Sequence, residues 1–279
     1  VTVRVFGEDA AVLAAAGAPV DDVIGIEARL VEGLDLPGRG LWMDAHVHLG
    51  RDRDGHTLDT AALMDDMSHL GIACAVCFPF DDPGPGGQFA EANDLVLRAA
   101  GDAPERVVPF LRLDPGRPWE DELARAAEAG AQGVKLHPVA QRFGPESEEC
   151  IAVVRAATGL GLPVLFHAGY GGRPLAGPMR AVLEGVPRAR IILAHGGRGD
   201  ARELAALVAA HPAVLLDTSL ASLPDLVALP PERLAFGSDR PYGDCPTALH
   251  LVATAARLAG WSEDQVDGVM WRNLRAWLP

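Results

Sequence analysis

The sequence predicts an α/β fold, a (β/α)8 or TIM barrel with a short amino-terminal extension, on three observations. From Trp42 onward, eight short apolar runs rich in β-branched residues alternate with Ala-, Leu-, Glu- and Arg-rich stretches. The runs are almost continuously apolar, as parallel strands covered on both faces are. Eight strand–helix units in roughly 235 residues match the length of a closed barrel. A doubly wound open sheet is the rival, but no G-x-G-x-x-G turn follows the first run. No linker interrupts residues 42–279, so that span is read as one domain.

Residues 1–41 are read as an extension or cap element, with VTVRV as a strand, AAVLAAA as a short helix and LPGRG as a turn. The first barrel run, LWMDAHVHL, sets His46 and His48 two residues apart. A strand repeats every two residues, so both imidazoles leave one face, here the barrel interior. Taken alone, the pair suits two hydrogen-bonded core histidines as well as two metal ligands. The second run, IACAVCFPF, holds Cys74 and Cys77. Three apart on a strand, they face opposite sides and read as inert buried thiols, not as a clamp. The third run, RVVPFLRLD, ends in Arg112 and Asp114. Arg112 is read as a substrate-carboxylate clamp or as an internal partner of Asp114. WEDELARAAEAG follows, an amphipathic helix with Trp119, Leu123 and Ala127 on one face and Gly130 at its end.

The fourth run, GVKLHP, contains the only lysine of the chain, Lys135, with His137 on the same strand face. Every other basic side chain of the Lys+Arg set is an arginine. An amine can lose its proton where a guanidinium cannot, so the exception asks for a chemical reason. Contact with a substrate carboxylate, an ion pair with Asp114 and a Schiff base are the alternatives.

The fifth run, PVLFHAG, ends in His167, the sixth, RIILAHGG, in His195, and the eighth, RLAFGSD, in Asp239. The seventh, AVLLDTS, ends in Asp217 and Ser219, which are expected to touch substrate. Tyr170 is expected to close over the site from the loop AGYGGRPLAGP, and PVAQRFGPES is a second lid candidate. In a barrel these strand ends meet on one rim, where the active sites of the fold lie. Three or more imidazoles and a carboxylate suit Zn²⁺ or a similar divalent ion with one position left for water.

The formal charge of -14 argues against nucleic acid or an anionic membrane as partner. No apolar run reaches the roughly 18 residues of a membrane span, and the acidic amino terminus does not look like a signal peptide. Cytoplasmic location and a small-molecule substrate are the expectations, with a homo-oligomer built on Trp271, Trp277 and the extension as an option. His56, His69, His211 and His250 read as surface or helix-packing residues. Serine chemistry finds no G-x-S-x-G elbow.

The order DAHVHLG, GVKLHP, FHAG, LAHGG, GSDRP, with the closing VMWRNLRAWL, resembles the amidohydrolase superfamily, specifically its amidohydrolase-2 group of metal-dependent barrel hydrolases and decarboxylases. The resemblance implies that His46, His48, His167 and Asp239 hold a catalytic metal, with Asp239 also moving the proton of a metal-activated water. It implies that His195 orients that water, polarises a carbonyl or binds a second metal. In binuclear members a lysine at the position of Lys135 becomes a carbamate bridging two ions, a fourth reading for that residue. The activity implied is hydrolysis of a lactone, amide or cyclic imide. The alternatives are decarboxylation of an aromatic or unsaturated acid and a non-catalytic binding role.

Overall fold

The computed structural model describes residues 41–84, 87–169, 174–197 and 201–278. The expected extension lies outside the described residues except for Leu41, and Tyr170 lies outside them as well. The eight apolar runs become eight parallel strands: β1 (Trp42–Arg51), β3 (Ile72–Pro79), β4 (Val107–Arg112), β5 (Gly133–Leu136), β6 (Val164–Phe166), β7 (Ile191–Leu193), β8 (Val214–Asp217) and β9 (Leu234–Ala235). They lie side by side in chain order. A short β2 (Thr57–Leu58) adds an antiparallel hairpin to the end of β1.

The sheet closes on itself through the segment that continues β9. Ala45 N–H donates to the Phe236 carbonyl at 2.7 Å, His48 N–H to Arg240 at 2.8 Å and Asp239 N–H to His46 at 2.9 Å. The Asp44 carboxylate reinforces this seam. It accepts from the backbone N–H of His46 at 3.0 Å, from Ser238 N–H at 2.9 Å and from the Ser238 hydroxyl at 2.5 Å. Burial pushes Asp44 up to about 6 against those hydrogen bonds.

Helices cover the outside between strands: α1 (Thr60–Leu70), α2 (Ala90–Asp102), α3 (Glu120–Glu128), α4 (Glu148–Gly159), α5 (Ala176–Gly185), α6 (Ala201–Ala210), α7 (Leu223–Ala228) and α8 (Cys245–Ala259). Their starts are written locally. Asp59, Ser147, Ser222 and Asp244 each accept a backbone N–H of the first turn of α1, α4, α7 and α8.

Side chains alternate between two apolar layers. Val134, Leu136, Val164 and Phe166 face the helices, whereas Phe78, Phe110, Leu165, Ile192 and Leu215 fill the barrel. Cys74 joins the inner layer and Cys77 the outer, so the two thiols do face opposite sides. All four cysteines are free and buried. In β1 the pairing slips between Asp44 and Val47, where three steps of β1 stand against two of β3. Such a bulge re-aims side chains at and beyond it; here His46 lies within the slip and His48 just beyond it.

Candidate metal centre

The carboxyl ends of the strands bring His46, His48, Lys135, His137, His167, His195 and Asp239 together. His46 and His48 come from β1, Lys135 from β5 and His137 from the residue after it. His167 follows β6, His195 follows β7, and Asp239 follows β9. A cavity of about 280 Å³ opens onto His48, His137, His167, His195 and Asp239, with Arg112, Asp81, Leu220 and Tyr242 completing its wall.

Two residues of the group adopt a backbone that L side chains rarely take. His195 has φ 61° and Asp239 φ 63°. Strain of this kind persists only where the surroundings hold it. His195 N–H is held by Asp217 Oδ1 at 3.0 Å, and Asp239 N–H by the His46 carbonyl.

Donor atoms converge. His46 Nε2 lies 3.1 Å and His48 Nε2 3.2 Å from Asp239 Oδ1. Metal bonds of about 2.0–2.1 Å meeting at a tetrahedral angle put their donors about 3.3 Å apart, so these separations suit one divalent ion. His46 Nδ1 faces Asp217 Oδ2 at 2.8 Å. A carboxylate there takes the Nδ1 proton and leaves the Nε2 lone pair for the ion. His48 Nδ1, also buried, has no hydrogen-bond partner among the described residues. Across the cavity His195 Nε2 is 3.2 Å from His167 Nδ1, and the His167 ring stacks on His137 at 3.8 Å between centroids.

The electrostatics favour neutral imidazoles at His48, His137 and His195 beside an ionised acid. Burial depresses His48 to about 3 and His195 to about 4. Burial, then His167 and Arg112, hold His137 far below its ordinary value. Burial and Lys135 push His46 down, yet Asp217 and Asp239 outweigh them and raise it. Burial alone would raise Asp239, but His46 and His48 hold it well below the usual carboxylate range. Neutral imidazole and carboxylate are the forms a divalent ion binds.

Lys135 is fully buried, its Nζ 3.3 Å from His46 Nε2 and 4.5 Å from the centre of the Phe78 ring. Burial and the nearby Arg112 lower it to about 7. The expected pairing of either cation with Asp114 is not found. Asp114 pairs with Arg117 at 3.9 Å and lines a second cavity, of about 300 Å³, beside the start of α3. Arg112 instead donates to the Pro79 carbonyl at 3.0 Å and pairs with Asp81 at 3.2 Å. Its Nη2 has no partner among the described residues.

Asp217 and Ser219 also depart from expectation. Both are buried beneath the histidines and do not line the cavity, because their side chains turn sideways into hydrogen bonds with neighbouring strands. Sequence reasoning missed Asp81 and Tyr242. The Tyr242 hydroxyl donates to Asp52 at 2.6 Å, and its ring stands edge-on to His48 and His56 at 5.1 and 4.9 Å. His56, read as a surface residue, is half-buried against that ring. Its signal was faint: Tyr242 follows the motif GSDRP by a single residue.

A family model described as amidohydrolase matches residues 43–279. Comparison with curated protein sequences finds no match. Among solved structures, the fold is shared with 2,6-dihydroxybenzoate decarboxylase from Rhizobium, at 15% identity and TM-score 0.68, over 86% of this chain and 98% of that one. It is shared with 5-carboxyvanillate decarboxylase from Sphingomonas paucimobilis, at 16% identity and TM-score 0.62, over 85% and 98%. A probable 2-pyrone-4,6-dicarboxylic acid hydrolase from Acinetobacter baumannii matches at 13% identity and TM-score 0.61, over 85% and 98%. Among the described residues no helix is long and apolar enough to cross a membrane.

Proposed function

We propose that this chain, which belongs to the amidohydrolase family, is a metal-dependent hydrolase of a small carbonyl compound such as a lactone, amide or cyclic imide. One observation carries the reading: His46 Nε2, His48 Nε2 and Asp239 Oδ1 lie within 4.8 Å of one another at a cavity of about 280 Å³. His46, His48, His167 and Asp239 would hold the ion, with zinc the metal best matched to this donor set. When bound, a divalent ion acidifies a water and polarises a carbonyl.

The residues supply the rest. Asp239, ionised at neutral pH, accepts the proton of the attacking water through Oδ1 or Oδ2 and returns it to the leaving nitrogen or oxygen. His195, neutral, presents Nε2 to the same cavity and orients that water or the carbonyl. Lys135 lies under the ligands, and in its ammonium form it would set a positive charge near developing negative charge, the preorganised stabilisation that enzymes use. Arg112 and His137 border the space left for substrate.

Decarboxylation of an aromatic or unsaturated acid is the second reading. It is favoured by Arg112, a buried guanidinium at the cavity with one donor nitrogen unpartnered, and by the two structural relatives named as decarboxylases. Product analysis with the zinc-loaded protein decides between them. Lactones, anilides and cyclic imides should be opened without gas release. Turnover of only benzoic or dienoic acids, with one CO2 per product, would overturn the hydrolase reading.

A further inference from the structure

We infer that Asp217 and Ser219 form one positioning unit that sets the protons of His46 and His195 together, so that both rings turn an Nε2 lone pair toward the candidate metal centre. The inference deepens the metal-dependent reading above, on which its functional meaning rests. It assigns work to two residues that do not line the cavity of the candidate centre.

The proton assignment follows from which groups can only accept. His195 Nδ1 lies 3.2 Å from the Ser219 backbone carbonyl and 2.9 Å from the Ser219 hydroxyl oxygen. A carbonyl has no proton to give, so Nδ1 is the protonated nitrogen and Nε2 carries the lone pair. His46 Nδ1 faces Asp217 Oδ2, and a carboxylate likewise only accepts, so His46 takes the same tautomer.

The remaining protons close without conflict. Ser219 has one hydroxyl proton, and it goes to Asp217 Oδ1 in a short contact. Its oxygen is then free to accept from His195 Nδ1 and, at 3.3 Å, more weakly from His46 Nδ1. Asp217 Oδ1 also accepts the backbone N–H of His195 at 3.0 Å and of Ser219 at 3.1 Å. Four donors thus meet the two oxygens of one carboxylate, and both residues are fully buried, with no room for water to substitute. Reversing either ring leaves a proton facing the cavity and an acceptor facing an acceptor. The same carboxylate that orients His46 also pins the left-handed backbone at His195, so the two histidines are set as a pair.

Histidine tautomers are read directly from long-range ¹H–¹⁵N spectra of ¹⁵N-histidine-labelled protein. The test uses the metal-free full chain at alkaline pH, where the rings are neutral. Two histidines, assigned by His46→Gln and His195→Gln, are expected as the Nδ1–H form, which is the minority form of free imidazole side chains. Ser219→Ala removes the nearer acceptor and leaves His195 Nδ1 only the backbone carbonyl at 3.2 Å, so a minor Nε2–H population should appear at His195 while His46 keeps Nδ1–H, and Ser219→Thr should restore the wild-type pattern. In a Co²⁺ titration followed by its visible absorption, Asp217→Asn, which removes the carboxylate acceptor from the ligand His46, should bind about 10–100-fold more weakly, whereas Ser219→Ala, which leaves His46 as it is, should bind nearly as tightly as the wild type.

An Nε2–H signal for His46 or His195 in the wild-type protein overturns the inference without need of any variant. An unchanged His195 signal in Ser219→Ala overturns it too. Wild-type protein with the expected tautomers but no Co²⁺ binding would instead sink the metal-dependent reading and leave the proton assignment standing.

Discussion

Gly133 opens β5, the strand that delivers Lys135 and His137, and it is paired with Phe110 of β4. A Cβ built on Gly133 would lie 2.3–2.4 Å from three atoms of the Phe110 ring. Phe110 is fully buried among the inner barrel residues Phe78, Leu165 and Ile192, so the ring cannot swing into solvent. Gly133→Ala therefore forces ring and strand apart by more than 1 Å, judged against ordinary carbon contacts of about 3.5–4.0 Å. Overpacking in a well-filled core costs about 1–3 kcal/mol, and with ring and backbone both trapped we expect the upper end, about 3 kcal/mol. For a chain of this size that lowers Tm by roughly 6–12 °C. Phe110→Ala alone should cost about 3–5 kcal/mol through the cavity it leaves. In the double variant the new methyl group enters that cavity. The two losses should then fall short of their sum by about 3 kcal/mol, a coupling of the kind contacting residues show. Thermal and urea melts of the four proteins, all with chelator present so that metal binding does not shift the midpoints, complete the cycle. A Gly133→Ala protein that melts with the wild type would refute the packing argument. Strict additivity in the double variant would refute it as well.

Elemental analysis of protein purified without chelator should give a single divalent ion per chain, because the two donor sets found among the described residues share His46, and Lys135 already contacts that residue. Two ions together with a carbamate carbon signal under ¹³CO2 would assign Lys135 to a bridging role instead. Asp239→Asn should lower kcat/KM by about 10²–10⁴-fold, the range of general acid–base catalysis; a variant that keeps its metal and full activity would remove Asp239 from proton transfer. The four thiols should be inert to a disulfide reagent in the native protein and react together on unfolding. Burial raises Cys74 to about 11 and Cys150 to about 12 and pushes Cys77 and Cys245 well above the ordinary thiol value. A fast-reacting thiol at neutral pH would contradict that burial.

The strands were legible because barrel strands are apolar on both faces and their helices are not. Each of the eight runs quoted from the sequence marks one barrel strand; β1 continues past its run to Arg51, whereas the other strands are shorter than theirs, and RLAFGSD keeps only Leu234 and Ala235 in regular pairing. The rest of that run, Phe236 to Arg240, closes the barrel by irregular hydrogen bonds to β1. Period two also placed His46 and His48 at one site, even though the slip in β1, between Asp44 and Val47, takes in His46 itself.

What the one-dimensional pattern could not resolve is height within the barrel. A polar residue at a strand end can rise to the rim and meet substrate, or turn sideways and bind the next strand. The stagger between strands decides which, and no residue spacing reports it. Asp217 ends β8 one residue after the apolar run, in the same sequence setting as the histidines, yet it sits below them with its oxygens committed to His46, His195 and Ser219. Arg112 shows the converse. Asp114, two residues on, looked like the natural partner, but β4 ends at Arg112, so Asp114 lies in the turn beyond the strand where period two no longer holds, and Asp81, on the loop after β3, takes the charge. Chemistry at the rim is written in residue types that a reader of sequence can find, whereas the layer that holds those residues is written in cross-strand distances. That layer is where the cavity-facing nitrogens of His46 and His195 are chosen.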